Sequence, residues 1–340
     1  MKTSIDTREL ITVDVGGIRI RGTFHKPQDP RKSSRMHIAE KSRIGVLFLN
    51  PGSLPRAATG DSAVYWADSV AAWGYPAFRL DLPGLGDSDG DLPTKVIDFQ
   101  SFVNAGGYAP VLAGITKNLV ERFNLRGVVV VGLCAGAVSS LYAAAADERI
   151  KGLILMDPYF YLQREITRRS VVSRWHMRMM RKLEDDWQRS VPSGQRDIGM
   201  GLLLRLRGIQ SCLKHILLRV RGQRPPSSAN LPLIRCWKQV ASSRRPMLVM
   251  SSPWSKPQVG AFDSLGHLLA VSDRRSRVDS ELIDGTTHNF AEGPGKAAVR
   301  RFIQQWLSGN FPLAGYEDSR AIERSSTEVS GFLVVRTLLS

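Results

Sequence analysis

The sequence predicts an α/β fold: a mainly parallel sheet with helices on both faces, an N-terminal antiparallel hairpin and a helical cap insertion. Three observations predict it. Short apolar or β-branched runs alternate with segments of helical spacing, the pattern of β-α-β units. The first two runs meet at Gly16-Gly17 with no helix between them, as in a tight hairpin. Between Asp157 and Pro246 the alternation stops, and a basic stretch of helical character intervenes.

In chain order, Leu10 to Phe24 is the hairpin and Lys26 to Arg43 a polar surface loop. Ile44 to Leu49 is a buried strand closed by the turn signal Asn50-Pro51-Gly52. Ser62 to Trp73 is helical, Tyr75 to Asp81 a strand, Pro110 to Phe123 a helix. Gly127 to Ala146 carries no charge over twenty residues, the length of a membrane span. It opens on four valines, passes through Gly-x-Cys-x-Gly and ends Ala-rich, so a buried strand, a tight turn and a buried helix explain it better. Lys151 to Met156, Pro246 to Ser251 and Arg277 to Ile283 are the later strands, and Gly295 to Leu307 an amphipathic closing helix. The expected organisation is a core of residues 1–157 and 246–308, a basic cap of 158–245, and an unassigned tail of 309–340.

With 340 residues, 43% hydrophobic and 23% charged, the chain is globular, which excludes wholesale disorder and fibrous structure. Three cysteines are too few and too scattered for a disulfide framework or structural zinc, which suits a reducing compartment. MKTSIDTREL has no apolar segment of signal-peptide length, so the expected location is cytoplasmic, with peripheral membrane contact as a variant. The net charge of +16 first suggests nucleic acid or an anionic surface. Its distribution changes that reading: residues 161–245 hold nineteen Lys+Arg against five Asp+Glu, and so +14 of the +16.

Gly132-Leu133-Cys134-Ala135-Gly136 follows the valine run and precedes a helix. A nucleophile on a sharp strand-to-helix turn needs small flanking residues, and the glycines supply them. The helix N-terminus favours an anion there and so a thiolate. The bland alternative is that Cys134 is a small buried apolar residue. His288, in DGTTHNF after the last strand, is placed to deprotonate the thiol and to protonate a leaving group. The other histidines (25, 37, 176, 215 and 267) have no such context.

Five segments in order carry a resemblance: LNPGSLPR at 49–56, FRLDLPGLGDSDG at 78–90, GLCAGA at 132–137, LILMDPYFY at 153–161 and DGTTHNF at 284–290. Over residues 10–308 the chain resembles the α/β-hydrolase superfamily. Within it, the chain is similar to a bacterial subgroup found beside exopolysaccharide or exosortase functions, with a Gly-Leu-Cys-x-Gly-Ala elbow. The resemblance implies an oxyanion hole from the Ala135 N–H and one from the loop after the first parallel strand. Pro51 has no N–H, so Gly52, Ser53 or a close neighbour is the expected second donor. The loop at 81–90 is shared, with Asp87 and Ser88 expected to hold its shape.

The acid departs from the superfamily pattern. After PMLVMS the sequence reads SSPWSKPQVGAF, and the first carboxylate is Asp263. Asp157, ending the KGLILM strand, is the alternative, and a Cys–His pair with no acid is a third, since a thiol ionises readily. Cys elbows in the resembling dienelactone hydrolases and polyhydroxyalkanoate synthases leave hydrolysis and acyl transfer open.

In the cap, Leu202, Leu206, Ile209, Leu213, Ile216 and Val220 form an apolar stripe flanked by Arg205, Arg207, Lys214, Arg219 and Arg221. Such a helix suits a lid, an anionic surface or an acyl-carrier protein. No nucleic acid is expected, because no recognition motif accompanies the charge. No cofactor or metal is expected either: Gly84-Leu85-Gly86 runs into Asp and Ser, not a dinucleotide loop. The expected function is cleavage of a small-molecule carboxylic ester or thioester through Cys134 and an acyl-enzyme. An acyltransferase and a non-catalytic binding module are the alternatives.

Overall fold

The computed structural model describes residues 7–28, 43–162, 229–253, 269 and 276–313. Eight strands form one sheet in the order β1-β2-β4-β3-β5-β6-β7-β8. These are Arg8–Val15, Ile18–His25, Ile44–Phe48, Ala77–Leu80, Gly127–Leu133, Ile150–Met156, Met247–Ser251 and Val278–Leu282. β1 and β2 pair as a hairpin, and β2 joins β4 antiparallel. All pairings from β4 across to β8 are parallel. Gly16 and Gly17 turn the hairpin with φ of 62° and 84°, and the Gly17 N–H donates to Asp14 Oδ1 at 3.1 Å. Positive φ at both central residues is what a two-residue hairpin requires.

Six helices are described: α1 (Ser62–Ala72), α2 (Val96–Asn104), α3 (Ala109–Arg122), α4 (Ala135–Ala146), α5 (Leu231–Ser242) and α6 (Gly293–Asn310). Successive side chains of the central strands enter opposite apolar clusters. Val128 and Val130 join one, with α2 to α5; Val129, Val131 and Leu133 join the other, with α1 and α6. A strand covered on both faces has no reason to alternate polar and apolar, which is why β5 reads as an unbroken apolar run. α4 follows it and is buried from Ala135 to Ala144, so the uncharged twenty-residue stretch is strand, turn and core helix. No helix among the described residues is long and apolar enough to cross a membrane.

Two elements correct the sequence reading. The insertion is narrower than 158–245: Met1–Leu162 with Ala229–Ser340 make one compact unit and Gln163–Ser228 another. α5 belongs to the first, burying Leu233, Ile234, Trp237, Val240 and Ala241. Its basic residues disguised it as a continuation of the charged stretch. Arg245, just beyond it, donates instead to the carbonyls of Ala144, Asp147 and Ile150, where α4 ends. The second element is α2, which has no clean apolar stripe because Val96 and Phe102 are exposed. The core also passes residue 308, since Phe311 packs on Trp306 with ring centroids 5.8 Å apart. The stripe Leu202 to Val220 lies outside the described residues, as do residues 314–340.

A buried polar chain ties the hairpin to α1 and β4. Arg79 Nε can only donate, so it fixes His25 Nε2 as acceptor (2.8 Å), and His25 Nδ1–H donates to Asp68 Oδ1 at 2.8 Å. Burial first, then the Arg79 charge, lowers the His25 imidazole from 6.5 to about 4. The unfolded chain therefore takes up this proton at a higher pH than the folded protein. Stability present above about 6.5 falls as the pH drops toward 4. His25→Gln, which cannot titrate, should flatten denaturant-derived stability between pH 6.5 and 4.5. An unchanged slope in that window would contradict the assignment.

Candidate active site

The parallel register aligns the C-terminal ends of β3, β5, β6, β7 and β8 along one edge: Phe48 pairs Val131, Leu133 pairs Met156, Met156 pairs Met250, and Ser251 pairs Leu282. Ligand sites of open parallel sheets lie beyond this edge. The segments that follow these strands carry Gly52 and Ser53, Cys134, Asp157, Ser252 and His288.

Cys134 sits between β5 and α4 with φ 55° and ψ −115°, a backbone conformation rare for any residue with a side chain. It is held from both sides. Its N–H donates to Met156 O at 2.9 Å, and its carbonyl accepts from Ala137 and Val138 at 3.1 and 3.2 Å. The flanking glycines are sterically required: a Cβ on Gly132 would lie 2.4 Å from the Gly136 carbonyl, and one on Gly136 would lie 2.8 Å from Asn50 O. That second contact also shows the first turn of α4 abutting the segment after β3.

His288 is brought to Cys134 by a loop clamped to the start of α6. Glu292 accepts from Thr286 Oγ1 at 2.8 Å, from the Thr287 N–H at 3.3 Å and from Thr287 Oγ1. Burial alone would raise the Glu292 carboxyl, but the hydrogen bonds of Thr287 and Thr286 outweigh it and hold it low. His288 Nδ1–H donates to Asp157 Oδ2 at 2.9 Å, and the ring lies near enough to Cys134 to feel its charge. Asp157 first, then Cys134, raises the imidazole from 6.5 to about 10 against the opposing effect of burial.

Asp157 has a fully buried side chain and a φ of 45°. Its N–H donates to Met250 O at 2.8 Å, and its carboxylate accepts from the Ser252 N–H and hydroxyl at 2.9 and 2.8 Å. Of the two acids weighed from the sequence, Asp157 is thus the one at the histidine, while Asp263 lies outside the described residues. Ser252 stands just after β7, where the superfamily pattern led us to look for an acid, and supports Asp157 from there.

The loop after β3 is built around Asp81. Gly52 (φ 63°) and Ser53 are the central residues of a turn closed by the Leu54 N–H on Pro51 O at 3.2 Å. Asn50 Nδ2 donates to Leu54 O and to Asp81 Oδ1 at 2.9 and 2.8 Å, and Asn50 Oδ1 accepts the Leu82 N–H at 2.8 Å. The Arg56 N–H and guanidinium and the Asp87 N–H converge on the same buried carboxylate. Asp87 pairs with Arg56 at 2.7 Å and Ser88 Oγ donates to Asp81 O at 2.6 Å, the shape-holding part expected of both. Ala135, the first residue of α4, is buried next to Cys134. Reading the sequence missed Asn50, Asp81, Ser252 and Glu292 as site supports. Their common signal is a polar residue directly after an apolar strand or opening a helix.

The sheet order, the elbow and the histidine loop define a class, and the comparisons agree. The sequence profile of the Alpha/beta hydrolase family matches residues 46–319, so the chain belongs to that family. Among solved structures it is similar to the α/β hydrolase GrgF from Penicillium sp. sh18, with TM-score 0.53, 16% identity, and coverage of 90% of this chain and 99% of that one. It is also similar to a dienelactone hydrolase from Anabaena variabilis ATCC 29413 (TM-score 0.50, 13% identity, 89% and 98% coverage). Est1E from Butyrivibrio proteoclasticus, solved with ferulic acid bound, gives TM-score 0.50 at 12% identity, with 88% and 99% coverage. These identities speak to fold alone. No curated protein matches the sequence.

Because Asp157 is the largest cause of the raised His288 imidazole, Asp157→Asn should bring its titration well down from about 10. A group raised on folding contributes stability below its unfolded pKa and loses it as pH rises through the folded one. The wild type should therefore lose stability between about 6.5 and 10, and the variant less of it. Histidine NMR titration reads the shift directly, and an unmoved His288 resonance would refute the coupling.

Proposed function

We propose that this protein hydrolyses carboxylic esters or thioesters through an acyl-thioester on Cys134. The observation that carries the reading is the His288–Asp157 hydrogen bond beside Cys134, with Cys134 on the strained turn between β5 and α4. Asp157 accepts from Nδ1, which leaves Nε2 for the proton of the thiol. The Cys134 sulfur attacks the substrate carbonyl carbon, and the negative charge passes to the carbonyl oxygen. The Ala135 N–H and an N–H of Gly52 or Ser53 receive that oxyanion. Collapse expels the alcohol or thiol, protonated by His288. Water, deprotonated by the same imidazole, then attacks the thioester and releases the acid and the free thiol.

Two features support chemistry over a passive binding role. An imidazole raised by a buried carboxylate and set beside a thiol is the arrangement of a Cys–His pair, in which the same ring can take and return a proton. The unusual backbone at Cys134 is maintained by close packing, which a site with no need to project its side chain would relax. On this reading the charge of residues 163–228, fifteen Lys+Arg against five Asp+Glu, favours an anionic partner.

Cys134→Ala should abolish turnover of short acyl esters and thioesters, a loss of at least about a thousandfold, while leaving the circular dichroism and melting point near wild type. Retained activity would overturn the reading. Iodoacetamide near neutral pH should label Cys134 ahead of Cys236, whose thiol is pushed up by burial. Product analysis with added alcohol acceptors distinguishes hydrolysis, which yields the free acid, from acyl transfer.

A further inference from the structure

Three hydrogen bonds join Asp157 to the end of β7. The Asp157 N–H donates to Met250 O at 2.8 Å, the Ser252 N–H to Asp157 Oδ1 at 2.9 Å, and the Ser252 hydroxyl to Oδ2 at 2.8 Å. Ser252 thus grips both carboxylate oxygens, its amide on one and its hydroxyl on the other. Oδ2 is also the oxygen that accepts His288 Nδ1–H at 2.9 Å. Each carboxylate oxygen has two lone pairs, so Oδ2 takes both donors at once.

The grip comes from a fixed base. Ser252 is fully buried, and the two residues before it are tied to opposite neighbours. Met250 O accepts from Asp157 at the end of β6, and Ser251 O accepts the Ile283 N–H at 2.8 Å, just after β8. Moving Ser252 therefore means breaking bonds on both sides of β7. The aspartate has no such restraint of its own, because the last torsion of its side chain is broad and roughly two-fold. Held by the Ser252 amide alone, the carboxylate would pivot on Oδ1 and carry Oδ2 away from the ring. The hydroxyl supplies the second point that stops this rotation.

Resting on the hydrolase reading, we propose that Ser252 is a positioning residue whose hydroxyl holds Oδ2 where His288 Nδ1–H meets it. The imidazole then stays aligned for proton transfer. Ser252 acts through Asp157, not on the substrate. The direction of its effect separates positioning from charge balance. A carboxylate that stayed in place without the hydroxyl would keep more negative charge on Oδ2 and hold the imidazolium more firmly. A carboxylate that turns once the hydroxyl is lost would let the imidazole fall back toward its ordinary value. Positioning requires the second outcome.

The test compares the full chain as wild type, Ser252→Ala, Ser252→Cys and Ser252→Thr on the N-acetylcysteamine thioester of butanoate. Ser252→Ala should lower kcat by about tenfold, the scale of one buried hydrogen bond to a charged group, with KM within about twofold of wild type. Ser252→Cys, close to serine in size but a weak donor, should follow it and guards against loss of folding in the smaller variant. Ser252→Thr, which keeps the hydroxyl, should recover most of the rate. By histidine NMR, His288 should titrate below its wild-type value of about 10 in Ser252→Ala and Ser252→Cys, and near it in Ser252→Thr. Unchanged kcat in the alanine and cysteine variants, or a His288 titration unmoved or raised, overturns this inference and leaves the hydrolase reading standing. Failure of wild type to turn over the thioester, with Cys134 unreactive to iodoacetamide, overturns both.

Discussion

The Asp157 carboxylate holds the chemical edge of this fold together. It is buried, and a buried charge is tolerated only when hydrogen bonds and an opposite charge replace the lost water. Here the replacements are the amide and hydroxyl of Ser252 and the ring of His288. Those three contacts join the end of β6 to the segments after β7 and β8, so one side chain determines where three chain segments lie. The left-handed backbone of Asp157, unfavourable for a residue other than glycine, persists because its own N–H is committed to β7.

Asp81 does the same work on the other side of β5. It ends β4 as Asp157 ends β6, it is equally buried, and it gathers Asn50, Arg56 and Asp87. The loop after β3 is therefore held by side chains that never need to touch a substrate. Gly86 belongs to the same construction, because a Cβ there would lie 2.2 Å from the Asp81 carboxylate. β5 lies between these two braces, and Cys134 inherits its position from both. A strained turn flanked by two separately anchored loops is held in place from both sides.

Much of this was legible in the sequence, for a physical reason. Strands buried on both faces write themselves as apolar runs, and small residues around a cysteine after such a run advertise a tight turn. Helices are harder where their exposed faces mislead: Arg235, Lys238, Arg244 and Arg245 made α5 look like part of the charged insertion, and the exposed Val96 and Phe102 blurred α2. The acid was undecidable between Asp157 and Asp263 because spacing along the chain says nothing of which loop reaches the histidine. That depends on sheet order, with β6 next to β5 and β7 beyond it, and on Ser252 turning the second position into a donor.

Removing α5 from the insertion also changes how the charge is understood. Of the positive residues once grouped together, Arg245 spends its charge on the carbonyls closing α4, a task internal to the core. Arg79 and Arg56 are similarly consumed, one by His25 and the other by Asp81 and Asp87. A basic residue engaged inside the fold turns its guanidinium inward, so total charge overstates what the surface presents. Residues 163–228 alone hold +10 of the chain's net +16. Neutral-looking strand ends thus build the candidate site, and most of the excess charge lies elsewhere along the chain.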